Sequence, residues 1–296
     1  MSIFIDQNTK VCVQGITGKE GSFWTKHMIE LGTNVVCGVT PGKEGQVIEG
    51  RKVYNSVKKA AENHEIDASM LFVPPKLTKD AVMEALHAGI KKIVTIADGI
   101  PLHEMVIIRQ AAMEHKAIVV GGNTSGVISP KLAMMGSFPH WIERVYKKGN
   151  IGVMTRSGSL TNEVTAMVVE AGYGVSTLIG VGGDPVPGTR FAEFLPMFEQ
   201  DEETKAVVII GELGGTMEED VAEAIANGVF TKPLVAFLGG RTAPKGQKMG
   251  HAGAIVTGGK GSVEDKINAL TAVGALVAER PRLVGKLLEE LDVPKN

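Results

Sequence analysis

Two hydrophobic periods take turns along this chain. Short, β-branched apolar runs predict strands: "KVCVQG", "TNVVCGVT", "ASMLFVP", "KKIVTIAD" and "AIVVGG". Between them apolar residues recur every three to four positions, which predicts helices over 21–31, 56–62, 78–88 and 103–114. That alternation implies a parallel, doubly wound sheet over residues 1–125, of Rossmann-like type. Residues 126–149 are rich in Met, Pro, Lys and aromatics and show no clear period, so an irregular crossing is expected there. The alternation then restarts with "NIGVMT", "VSTLIGVG", "KAVVIIGE" and "PLVAFLGG", a short "AIVTG" after His251, and "ALVA". Helices are expected over 159–171, 190–200, 217–227, 262–273 and 281–291, the last opening on a proline that a first helical turn tolerates. Residues 150–296 thus predict a second open α/β sheet, flavodoxin-like.

Composition narrows the partners. The chain has 296 residues, 44% of them hydrophobic, with no apolar run of membrane-spanning length. Its 31 basic and 33 acidic residues leave a net charge of −2, so no electrostatic footprint for nucleic acid or an anionic membrane exists. "MSIFIDQNTK" has no secretory pattern, and a cytoplasmic location is expected. Cys12 and Cys37 sit inside apolar runs and read as reduced core thiols rather than metal ligands or a disulfide. The 37 glycines are the informative bias, because glycine accumulates where backbone turns tightly or approaches phosphate.

The first half carries an anion cradle. "VCVQGITGKEG" sets Gly15, Gly18 and Gly21 between the first strand and the first helix, where free amides and the helix dipole favour an anion. A dinucleotide reader would show G-x-G-x-x-G and an acid ending the second strand. This chain has neither; its second strand ends in "GVTPGKEG", where Thr40 and Lys43 suit a phosphate better than a ribose diol. A nucleotide-like ligand with extra phosphate, coenzyme A or NADP, fits, although Gly18 and Gly21 also permit plain close packing. "FVPPK" and "TIADGIP" end the next strands on the same edge.

In the second half, "MTRSGSLTNEV" enters a helix through Ser157, Gly158 and Ser159, a turn with hydroxyls and free amides for an oxyanion. "GVGGDPVPG" and Glu212 in "IIGELGG" end the following strands. His251, in "GHAGAIVTGGKG", has little bulk around it. It reads either as an exposed loop histidine or as a phosphoryl acceptor whose tautomer a carboxylate, Glu212, would fix.

At these motifs, and along essentially its whole length, the chain resembles the α subunit of succinate-CoA ligase and its relatives. The resemblance implies that His251 is phosphorylated during turnover, that Glu212 contacts it, and that Ser157, Gly158 and Ser159 receive the phosphate. It places coenzyme A against Gly18, Lys19, Glu20, Gly21, Thr40, Lys43, Val73, Pro74, Ile96, Ala97, Asp98 and Asn123. It also implies a β subunit with an ATP-grasp domain, as αβ or α2β2, which would bind ATP or GTP with Mg2+ and without which this chain would be inactive.

Two departures fall where the acid should sit. The family's G-P-N-C-P-G loop is replaced by "GGNTSG", with Thr124 and Ser125 for Cys and Pro, and a tyrosine is replaced by Asn162, as in ATP-citrate lyase. With Gly182 and Gly183, these are the candidate acid-binding positions. The main expectation is a succinate-like carboxylic acid; malate, citrate or a sulfonated acid is the alternative, and neutral drift weighs equally. A coenzyme A-binding regulatory module is the non-enzymatic reading, and an NADP oxidoreductase is third.

Overall fold

A computed structural model describes residues 2–241, 251–255 and 261–295, which form two compact units. The first comprises residues 4–138 and 186–189. Its elements run β1 (Val11–Gln14), α1 (Lys19–Leu31), β2 (Val35–Val39), β3 (Val47–Ile48), β4 (Arg51–Tyr54), α2 (Val57–Ala61), β5 (Ala68–Leu71), α3 (Pro75–His87), β6 (Lys92–Thr95), α4 (Leu102–Glu114), β7 (Ile118–Val120), β8 (Gly126–Ser129) and β9 (Ala133–Gly136). Strands β4-β2-β1-β5-β6-β7 lie parallel in that order, with β3 antiparallel on the β4 edge. This is the Rossmann order, and it reverses direction beside β1.

Burial explains the readability of these strands. Helices cover both faces of a parallel sheet, so Val11, Cys12 and Val13 are all completely buried and no polar alternation is needed. Cys12 stands opposite Cys37 in the β1–β2 register, and both are buried free thiols. A hydrogen bond with Cys37 and burial push the Cys12 thiol well above its ordinary pKa, which leaves it unreactive.

Within residues 126–149, expected to be irregular, the stretch 126–136 is regular, whereas 137–147 has no helix or strand. Strands β8 and β9 form an antiparallel hairpin, Gly126 opposite Gly136 and Ser129 opposite Ala133. Both are four residues long and buried throughout, so they show no alternation, and "AMMG" lacks β-branched residues. Strand β4 was likewise missed: it opens on Arg51 and Lys52, and its outer neighbour is only the two-residue β3.

The second unit comprises residues 139–185 and 190–296, with the first three residues of the chain. It holds β10 (Lys148–Thr155), α5 (Gly158–Glu170), β11 (Val175–Gly180), α6 (Phe191–Gln200), β12 (Ala206–Glu212), α7 (Met217–Ala226), β13 (Leu234–Gly239), α8 (Val263–Ala272), β14 (Leu276–Ala278) and, after a 3-10 turn at Pro281–Leu283, α9 (Val284–Glu290). The parallel order β14-β13-β12-β10-β11 is flavodoxin-like and reverses beside β10. The expected strand "AIVTG" is not seen at Ala254 and Ile255, and its remaining residues lie outside the described ones. Among the described residues no helix is long and apolar enough to cross a membrane.

A buried ion cluster fastens α8 to the end of β12. Lys266 is completely buried and its Nζ pairs with Glu218, which is also completely buried, while donating to Glu219 Oε2 at 2.9 Å and to the Gly215 carbonyl at 3.0 Å. Glu218 Oε1 accepts the main-chain N–H of Glu212 at 3.2 Å. Removing one member strands the other charge away from water. Lys266→Ala should therefore lower the unfolding free energy by about 3–5 kcal/mol in denaturant titrations, and Glu218→Gln with Lys266→Met should recover most of that loss.

Candidate functional site

The second unit brings its candidate chemistry to the carboxyl edge of its sheet. Strand β12 ends at Glu212, a residue only 7% exposed. Nδ1 of His251 lies 2.9 Å from Glu212 Oε2 and 3.1 Å from Oε1. A carboxylate only accepts, so Nδ1 carries the proton and the lone pair is left on Nε2. Across the β10–β12 pairing, Arg156 packs behind the same carboxylate: Nη2 is 3.4 Å from Glu212 Oε1, and Nη1 donates to the Gly214 carbonyl at 2.9 Å. Arg156 is buried, and among the described residues its Nε has no hydrogen-bond partner.

The hydrogen bond to Glu212 is the largest influence on His251 and raises its pKa. Burial lowers it, the Glu212 charge adds to the rise, Arg156 opposes it and Asp184 assists. The imidazole remains half-buried, its side chain 26% exposed. One wall beside the ring is bare main chain: a Cβ on Gly183 would lie 2.3 Å from His251 Cγ. The Gly253 N–H donates to the Gly183 carbonyl at 3.1 Å and pins the histidine segment to that wall.

Immediately after Arg156, Ser157 caps α5. Its Oγ accepts from Leu160 N at 3.5 Å and lies 3.3 Å from Ser159 Oγ. Gly158 and Ser159 are exposed while Ser157 is buried, and this helix start, with its first-turn amides, follows directly on Arg156.

The first unit holds a separate cavity of about 530 Å³ at the reversal point of its sheet. Gly15, Gly18, Thr40, Val73 and Pro74 line it. Gly15 has φ +77°, and a Cβ there would fall 2.2 Å from the Phe72 carbonyl oxygen, so only glycine turns the chain here. The Gly18 N–H donates to the Gly15 carbonyl and Gly18 caps α1 with no side chain in the way. Thr17 and Thr40 join hydroxyls at 3.2 Å.

Among the candidate residues, His251, Glu212, Gly183 and the Ser157–Ser159 turn converge through Arg156. Gly18, Thr40, Val73 and Pro74 share the first unit's cavity; Lys19, Glu20, Gly21, Lys43, Ile96, Ala97, Asp98 and Asn123 do not line it. Asn123 N nonetheless bonds the Ala97 carbonyl at 2.8 Å, joining two of the strand-end loops. Glu20 accepts from Trp24 Nε1. Thr124 Oγ1 accepts from Gly126 N, and the Ser125 carbonyl from Ser137 N. Gly182 is buried next to Gly183, and Asn162 is exposed in the first turns of α5. Sequence reasoning missed Arg156 as a site residue, although its place between a strand end and a serine cap was a usable signal. It also missed Asp184 and the Lys266–Glu218 pair, for which residues 48 apart give no local sign.

Two family models match the chain, a CoA binding domain over residues 6–99 and a CoA-ligase domain over residues 154–276. The chain is 81% identical, over all of both sequences, to the ADP-forming sulfoacetate-CoA ligase subunit SqwL of an Acholeplasma species. It is 67% identical to the corresponding subunit SauD of Bilophila wadsworthia, over 98% of this chain and 99% of that one. To the ADP-forming succinate–CoA ligase subunit alpha 1 of Archaeoglobus fulgidus it is 48% identical over 94% of each. In fold it resembles ATP citrate lyase from Methanothrix soehngenii, with a TM-score of 0.88 at 24% identity, covering 98% of this chain and 52% of that one.

Replacing Glu212 by Gln should lower the titration midpoint of His251, followed by NMR of the imidazole, because the raising carboxylate is lost. In the parent chain this pairing stabilises fully below the unfolded imidazole pKa of about 6.5 and fades as pH rises through the raised folded value. An unchanged midpoint in Glu212→Gln would show that the pair does not form in solution.

Proposed function

Because the chain belongs to the ADP-forming acid–CoA ligase subunits, we propose that it carries the phosphohistidine step of such an enzyme, and that its acid is sulfoacetate or a close sulfonated relative. The single observation that supports the first part is the geometry at His251. Its Nδ1–H is held by a buried carboxylate, its Nε2 is left as the nucleophile, and Arg156, which contacts that carboxylate, directly precedes the serine cap of a helix.

In this reading Nε2 attacks the γ-phosphorus of ATP. The N–P bond forms as the bond to the ADP oxygen breaks, and the amides of Gly158 and Ser159 bind the transferred anion. Arg156 lies against Glu212 from behind, and the Glu212 carboxylate in turn stabilises the imidazolium character that develops on the ring. The phosphoryl group then passes to the carboxylate of the acid, and the thiol of coenzyme A displaces phosphate to give the thioester. Gly18, Thr40 and the amides opening α1 would meet the phosphates of coenzyme A, Gly18 capping that helix with no side chain in the way, while Asp80 and Glu84 line another part of the same cavity. Nucleotide and Mg2+ fall to a partner subunit of ATP-grasp type, as expected from the relatives' description as subunits.

For the acid, the relatives favour the sulfonated alternative over the succinate-like main expectation, since sulfoacetate ligase subunits are 81% and 67% identical and the succinate ligase subunit 48%. The small polar replacements Thr124, Ser125 and Asn162 agree with that order.

Two outcomes are expected when the chain is assembled with its partner subunit. Labelled ATP should leave base-stable, acid-labile phosphate on the parent chain and none on His251→Ala; no phosphate on the parent would instead support a binding module. Across sulfoacetate, succinate, malate and citrate, kcat/KM should be highest for sulfoacetate by at least about ten-fold. Best turnover with succinate would end the assignment of the acid.

A further inference from the structure

Asn162 does not stand alone on α5. Its Oδ1 accepts a hydrogen bond of 2.6 Å from the phenol of Tyr146, a residue 4% exposed, whereas Asn162 itself is exposed. A carboxamide has an acceptor end and a donor end of nearly the same shape, and an unheld surface asparagine presents either. The phenol proton selects between them: with Oδ1 turned inward onto Tyr146, the two N–H groups of Nδ2 are turned away from it. No described residue accepts from Nδ2. Burial pushes the Tyr146 pKa up to about 12, so the phenol keeps its proton throughout the neutral range.

Position gives these donors a role. Asn162 lies on the same helix start as the proposed phosphate-binding amides, four residues beyond Gly158, about 6 Å along the axis. A two-carbon acid spans a similar length. An acid laid along the helix with its carboxylate at the phosphoryl group would bring its far end to the level of Asn162. A sulfonate there is permanently ionised and only accepts, through three tetrahedrally placed oxygens, so it must be met by N–H or O–H groups.

We propose that Tyr146 is a positioning residue for acid selectivity, fixing the Asn162 carboxamide with its N–H groups toward the substrate so that they bind the sulfonate. The inference rests on the sulfonated-acid reading above.

The test uses the assembled two-subunit enzyme. Tyr146→Phe removes the orienting proton, and it should raise the KM for sulfoacetate about ten-fold or more while kcat changes less than about two-fold. Asn162→Asp keeps an acceptor for Tyr146 but presents a carboxylate in place of the N–H groups. On this exposed position the fold is preserved, and KM should rise further, by about a hundred-fold. An unchanged sulfoacetate KM in both variants overturns the inference, as does an equal rise for sulfoacetate and succinate, which is what a structural pair would give. Parent enzyme that prefers succinate instead sinks the acid assignment itself, and that result is read before any variant is made.

Discussion

The proposed chemistry depends on one hydrogen bond, which commits His251 Nδ1 to Glu212 and, in the neutral ring, leaves the lone pair on Nε2. The carboxylate that makes this bond is buried, and Arg156 lies against its Oε1 from the next strand, so it faces a guanidinium as well as the ring. That contact exists because β10 and β12 are neighbours in register, Thr155 opposite Ile210, so that both strands release their chains at the same edge. Sheet order, strand length and the serine cap of α5 can all be read as means of delivering three side chains to one point.

Below that point lies a second layer of charge. Glu218 receives the main-chain N–H of Glu212, and Lys266, on the helix that follows the histidine segment in sequence, neutralises Glu218. The two ends of the reactive pair are thus tied through one buried cluster: the strand bearing the carboxylate and the helix after the imidazole share an anchor. Such clusters seldom add net stability, but they penalise alternatives in which one charge lacks the other. Specificity of arrangement is therefore the better account of its presence.

Much of this was legible in the sequence where burial is symmetric. Strands β1, β5, β6 and β10 to β13 are covered on both faces, so their apolar runs are continuous and their glycine-rich exits mark the functional edge. Strands β4, β8 and β9 escaped because a short strand opening on Arg51 and Lys52 looks like a loop, and a four-residue buried strand of Met and Gly has no period to detect. In the site, His251 and Glu212 were readable from a glycine-poor choice of chemistry amid glycine and from a strand-terminal acid. Arg156 looked like an ordinary flank to a cap, Lys266 like any helical surface lysine, and Tyr146 fell in a stretch without pattern. Each of these three acts through a partner distant in sequence, and pairings of that kind exist only after the chain has folded.

The bare peptide at Gly183 leaves no room for variation on its side of the imidazole, since even a methyl group would occupy the ring's own space. Any side chain at position 183 would have to displace the segment that the Gly253 N–H pins there, so the seat of the ring and the bareness of the peptide beside it are a single constraint.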